Sequence, residues 1–147
     1  MQRCFDLSRS IDLHVESVVL TKERAVSGTT SGLISLGERV EWRAKHLRVW
    51  FSMQVQITSF DSPRYFQDAM IEGPFRSFKH DHFFEEHNTS TLMIDRLSFA
   101  SPGWILGRLA DATLLRGYLR RFLARRNAIL KTVAESDQWP RYLSFPR

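Results

Sequence analysis

The sequence predicts an α+β fold in which a curved antiparallel sheet grips a long C-terminal helix. Three observations carry this. Period-two segments follow one another over residues 23–99, with turn signals between them. The pattern then changes to helical spacing over 104–135. The chain has 147 residues, of which 43% are apolar and 25% charged, as expected of one globular domain with one core.

The N-terminal segment, 4–20, reads as helix, with Phe5, Leu7 or Ser8, Ile11 and Val15 on one stripe. A weak strand follows over Glu23 to Ser31 and ends at Gly32. From Glu38 the alternation is clear: Val40, Trp42, Ala44 and His46 share one face, and Phe51, Met53, Val55 and Ile57 share the next. Asp61-Ser62-Pro63-Arg64 is a turn signal. Tyr65 to Glu72 is a strand, Gly73-Pro74 a break, and Phe75 to Glu85 and Thr91 to Phe99 are strands about a polar turn at Glu86-His87-Asn88-Thr89. Sequential strands with short connections give an antiparallel meander. Ser101-Pro102-Gly103 then precedes a helix carrying Leu115, Leu119, Phe122, Ile129 and Val133. Gly107 and Gly117 inside it suggest a kink or a close approach to the sheet. The tail, 136–147, is expected to run as an irregular strap.

Folding each hairpin about its turn gives neighbours. Val40 falls beside Ile57, Ile57 beside Asp68, Asp68 beside His80, and His80 beside Asp95. Trp42, Val55, Met70, Phe78 and Leu97 form the next layer, and Ser59, Phe66, His82 and Met93 the layer on the other side. The inner face is thus apolar but interrupted by Asp68, His80 and Asp95, with Glu72, Arg76, His82 and His46 nearer the ends. An imidazole between two carboxylates favours its charged form and can move protons near neutral pH. The same three side chains could also form a two-carboxylate, one-histidine metal set. Mutual satisfaction of buried polar groups is the competing explanation, and no metal or other cofactor is expected. No nucleophile elbow, phosphate loop, nucleotide fingerprint or zinc-ligand spacing is present.

The formal net charge is +5 and the pI about 9.9. Arg116, Arg120, Arg121, Arg125 and Arg126 hold much of the excess, and they read first as a solvated helix face. No stacked aromatics accompany them, so nucleic acid is not an expected partner. No apolar run is long enough to span a bilayer, and no signal peptide is recognisable, so the expected location is cytoplasmic. Cys4, the single cysteine, has no partner for an internal disulfide.

The runs Thr30-Ser31-Gly32-Leu33-Ile34, Val40-Glu41-Trp42-Arg43-Ala44-Lys45-His46, Ile57-Thr58-Ser59-Phe60-Asp61 and Gly73-Pro74-Phe75-Arg76-Ser77-Phe78-Lys79-His80-Asp81-His82 resemble bacterial members of the SRPBCC superfamily. This is the START-like or polyketide-cyclase-like group, and the resemblance covers nearly all of residues 4–135. It implies a helix-grip that encloses a hydrophobic ligand. It carries over no catalytic set. Members usually have a strand before the segment resembling Arg3 to Ser8, and here that first strand is missing. Its loss implies two unpaired sheet edges, open to a second copy of the chain.

Three functions follow as expectations. The first is binding of a hydrophobic small molecule in a cavity between sheet and helix. Its lining would be Trp42, His46, Met53, Val55, Met70, Glu72, Phe78, His82, Leu97, Leu115, Leu119 and Phe122. The second is an enzyme of cyclase, dehydratase or isomerase type, using His80 with Asp68 or Asp95 as acid–base groups. The third is an interaction module that sets the Arg-rich helix face on anionic lipid.

Overall fold

The computed structural model describes residues 1–46, 48–103, 105, 107 and 111–143. Helices α1 (Gln2–Ser8) and α2 (Ile11–Ser17) come first, then a short 3-10 turn at Val19–Thr21. Six strands follow: β1 (Arg24–Gly28), β2 (Arg39–His46), β3 (Val49–Asp61), β4 (Tyr65–Glu72), β5 (Ser77–His87) and β6 (Ser90–Ala100). A π turn at Asp111–Leu115 leads into α3 (Arg116–Glu135), and a helical turn, α4 (Pro140–Leu143), lies in the tail. The strands form one antiparallel sheet in sequence order, with β1 and β6 at its edges.

The expected single N-terminal helix is two helices, for a local reason. The Ser10 hydroxyl accepts the Leu13 N–H and so caps a fresh start. Asp12 then sits in the first turn, beside the positive helix end. The break puts both helices over the open end of the sheet. Phe5 from α1 meets Phe60, Phe66 and Phe84 edge-on, with ring centres 5.2, 5.6 and 5.4 Å away. These rings join Ile11, Ile34, Val40, Trp42, Val55 and Ile57 in the main core. A second cluster, Leu7, Leu13, Leu130, Val133, Ala134 and Tyr142, fastens the end of α3 to α1 and α2.

Two of the expected registers differ from those observed. β2 pairs with β3 so that Val40 faces Val55 and Trp42 faces Met53, two residues away from expectation. β5 pairs with β6 so that His80 faces Leu97, His82 faces Asp95, Phe78 faces Phe99 and Phe84 faces Met93. For β5–β6 the cause is turn length. The β5–β6 loop is the two residues Asn88-Thr89, with Asn88 left-handed at φ 54, and not a four-residue turn. A two-residue slip keeps every side chain on its face, so the inner face is as expected while the neighbours change. Between β3 and β4, Ile57 faces Asp68 and Val55 faces Met70 as expected, but a bulge after Ile57 brings Phe60, not Ser59, opposite Phe66. Asp68 faces His80 and Phe66 faces His82, also as expected.

Within the helix expected over 104–135, the described residues Ile105 and Gly107 are helical, Asp111–Leu115 form a π turn, and a continuous α-helix runs from Arg116. A Cβ on Gly107 would lie 2.2 Å from the Pro102 carbonyl oxygen, so the close approach is to the preceding loop and not to the sheet. Gly117 faces open space. Ile129 lies outside the buried stripe, at 40% exposure, and Arg126 lies inside it, at 5%. The tail is not wholly irregular: Tyr142 and Arg141 of α4 bind the Glu16 carboxylate of α2. The last four tail positions lie outside the described residues.

Candidate functional site

The concave face of the sheet, the two N-terminal helices and α3 enclose a cavity of about 310 Å³. Val40, Trp42, Val55, Ile57 and Phe66 line it from the sheet, and Leu115, Leu119, Phe122 and Leu123 from the helical side. Alternation on β2 through β4 supplies the first set, and spacing of three and four on the helix supplies the second. Two polar groupings interrupt this wall.

The first grouping joins β4, β5 and β6. His82 Nε2 lies 3.1 Å from Asp68 Oδ1, and His82 Nδ1 lies 2.7 Å from Asp95 Oδ1. His80 reaches the same two oxygens, Nδ1 at 3.8 Å from Asp68 and Nε2 at 3.2 Å from Asp95. The His80 and His82 ring centres are 3.9 Å apart, and His82 stacks on Phe66 at 4.1 Å. Asn127 of α3 donates to the other oxygen of Asp95. Burial pushes the Asp68 and Asp95 carboxyls up, but hydrogen bonding and charge from the two histidines, with Arg126, outweigh it and hold both below the usual range. Burial lowers His82, yet the carboxylates of Asp68 and Asp95 beside it leave it raised. Burial and the neighbouring His82 lower His80. The arrangement therefore favours the charged form at His82, between two carboxylates, and the neutral form at His80.

The second grouping lies towards the β1 side. His14 of α2 stacks on Trp42 at 4.2 Å, and its Nε2 lies 2.7 Å from Glu23 Oε1. His46 Nε2 lies 3.9 Å from Glu23 Oε2, and its Nδ1 lies 2.7 Å from the Tyr118 hydroxyl on α3. Burial raises the Glu23 carboxyl, but His14, His46 and Arg126 bring it below its ordinary value. Between the groupings stands Arg126. Its Nη2 donates to the Ser8 carbonyl, while Nη1 is buried without a hydrogen-bond partner.

The expected site residues fall as follows. Trp42, His46, Met53, Val55, Phe78, His82, Leu97, Leu115, Leu119 and Phe122 line the cavity, as do Asp68 and His80. Met70 and Glu72 do not. Met70 packs under Gly73, where a Cβ would lie 2.7 Å from its sulfur, and Glu72 is exposed at the strand end. Asp95 lies behind the histidines and is not part of the wall. Arg126 is not on the solvated face with Arg116, Arg120, Arg121 and Arg125; it is buried. Sequence reasoning missed Arg126, Glu23, His14 and Tyr118. The spacing Phe122, Arg126, Leu130, Val133 is an apolar helical stripe with one cation in it, and that was the available signal for Arg126.

Comparison with solved structures returns matching architectures. TTHA0849 from Thermus thermophilus superposes with a TM-score of 0.72 at 13% identity, covering 90% of this chain and 88% of that one. The fold is a helix-grip. Ginseng major latex-like protein 151 from Panax ginseng gives 0.63 at 13% identity, covering 90% and 87% of the two chains. Ara h 8.0201 gives 0.60 at 12%, covering 88% and 90%. At such identities the likeness speaks for the fold alone, and it agrees with the fold implied by the SRPBCC resemblance. The sequence matches no family model and no curated protein. No helix among the described residues is long and apolar enough to cross a membrane.

Proposed function

We propose that this protein binds one hydrophobic small molecule, lipid-, polyketide- or aromatic-like, in the cavity between sheet and α3. The carrying observation is the cavity itself: about 310 Å³, walled mainly by aliphatic and aromatic side chains. That size and lining suit a small apolar ligand with a few polar anchors. Arg126 Nη1, buried without a hydrogen-bond partner and on the cavity wall, supplies one such anchor, so the ligand carries a polar end. Titration with an apolar fluorescent probe tests the reading. Leu119→Trp puts an indole into the cavity from the helix face, and it should weaken probe binding at least tenfold, about 1.4 kcal/mol. Unchanged probe affinity in a folded variant would contradict the site.

A reaction at the same wall is the second reading, of cyclase, dehydratase or isomerase type. One observation favours it: His80 and Asp68 both reach the cavity, 3.8 Å apart. Asp95 is set behind the histidines, so it would orient them and not meet a substrate.

A further inference from the structure

We propose that Asp68, His80 and His82 form a binding site for a divalent transition metal of the zinc class on the cavity wall. Asp95 and Asn127 act behind it as the group that orients both imidazoles. This goes beyond ligand binding and does not depend on it.

The donor geometry carries the proposal. Asp68 Oδ1 lies 3.1 Å from His82 Nε2 and 3.8 Å from His80 Nδ1, and one ligand atom from each of the three residues lies within 4.8 Å of the others. Bonds of about 2.1 Å in a tetrahedral shell put donors roughly 3.4 Å apart, so both distances sit around the required value. All three side chains come from adjacent strands, β4 and β5, which fixes their bases without a mobile loop. His80 and His82 are two residues apart on one strand, so they point to the same face. Two imidazoles with one carboxylate select a borderline metal over magnesium or calcium, which prefer oxygen donors.

The second observation is what lies behind the rings. The nitrogens that would not bind metal, His80 Nε2 and His82 Nδ1, both face a single oxygen, Asp95 Oδ1, at 3.2 and 2.7 Å. All three atoms are buried and lack an aligned hydrogen bond. An ion would not touch these three atoms; what it would fix is which of the ring nitrogens carry protons. A cation on His80 Nδ1 and His82 Nε2 forces the ring protons onto the opposite nitrogens. Both then donate toward Asp95, the outer carboxylate arrangement that orients histidine ligands in metal sites. Asn127 holds the far oxygen of Asp95. Asp95 does not line the cavity, whereas the three proposed ligands do. Two carboxylates balance a dication, and Arg126 adds positive charge on the same wall, so a fourth ligand from the cavity would be water or an anionic group.

The test uses the full chain, stripped with a chelator and dialysed, and titrated with cobalt(II) alone. One equivalent per chain should produce the intense visible bands of four- or five-coordinate cobalt, and zinc should abolish them. Asp68→Asn and His80→Gln should each weaken cobalt binding at least tenfold. Asn127→Ala leaves all three ligands in place and should weaken it about tenfold through Asp95. His14→Gln, in the other polar grouping, should leave the bands unchanged. Circular dichroism matching the parent qualifies each variant, and Asn127→Ala decides if the ligand variants do not fold. A pale six-coordinate spectrum, bands that survive both Asp68→Asn and His80→Gln, or bands lost in His14→Gln would overturn the proposal. Probe binding to the metal-free chain is measured separately, so failure here leaves the ligand-binding reading intact.

Discussion

Phe5 has no exposed surface and three aromatic neighbours, which makes it the residue on which the N-terminal helices are fastened to the sheet. Phe5→Ala removes that ring from a closed site and should cost about 3–5 kcal/mol in urea unfolding. Glu23 works by charge. Its folded carboxyl titrates below its ordinary value of 4.5, so it contributes stability above that value and the contribution is lost as pH falls through the folded value. Burial lowers His46, with Glu23 opposing, so acid also favours the unfolded chain there below the ordinary 6.5. Stability should therefore decline on acidification. Glu23→Gln should lower the urea midpoint at neutral pH and flatten the decline below about pH 4.5. An unchanged acid slope would show that Glu23 is not held by His14, His46 and Arg126 as described.

At the level of elements, what the sequence conveyed depended on how local the signal was. Alternation in β2, with Val40, Trp42 and Ala44 inward, was legible because one buried face imposes period two. The strand neighbours were less so, because register depends on the turn. Asn88-Thr89 turns in two residues, and this moved Asp95 from His80 to His82 without changing its face. The π turn at Asp111–Leu115 left no mark in the apolar spacing. The break between α1 and α2 was encoded in Ser10 but was hidden by a continuous apolar stripe. Ser10→Ala should therefore cost about 1 kcal/mol of stability, read as a shift in urea midpoint at unchanged slope. No effect would mean that packing alone sets the start of α2.

For the whole molecule, the grip arises because six strands in sequence order curve around one face and α3 lies along it. Most of the apolar lining was legible, since residues such as Trp42, Val55, Leu119 and Phe122 follow from periodicity alone. The polar half of the site was legible only in part. Asp68 and His80 sit opposite each other as the hairpin predicts. Glu23, His14 and Tyr118 meet only through tertiary contacts between α2, β2 and α3, which no local pattern records. With β1 and β6 both at sheet edges, it is helices, and no further strand among the described residues, that cover the cavity. Its capacity to hold a ligand thus rests on α3, and native mass spectrometry of gently purified protein tests this most directly. One small, apolar adduct per chain is expected, diminished in Leu119→Trp. A bare chain that also fails to bind an added apolar probe would contradict it.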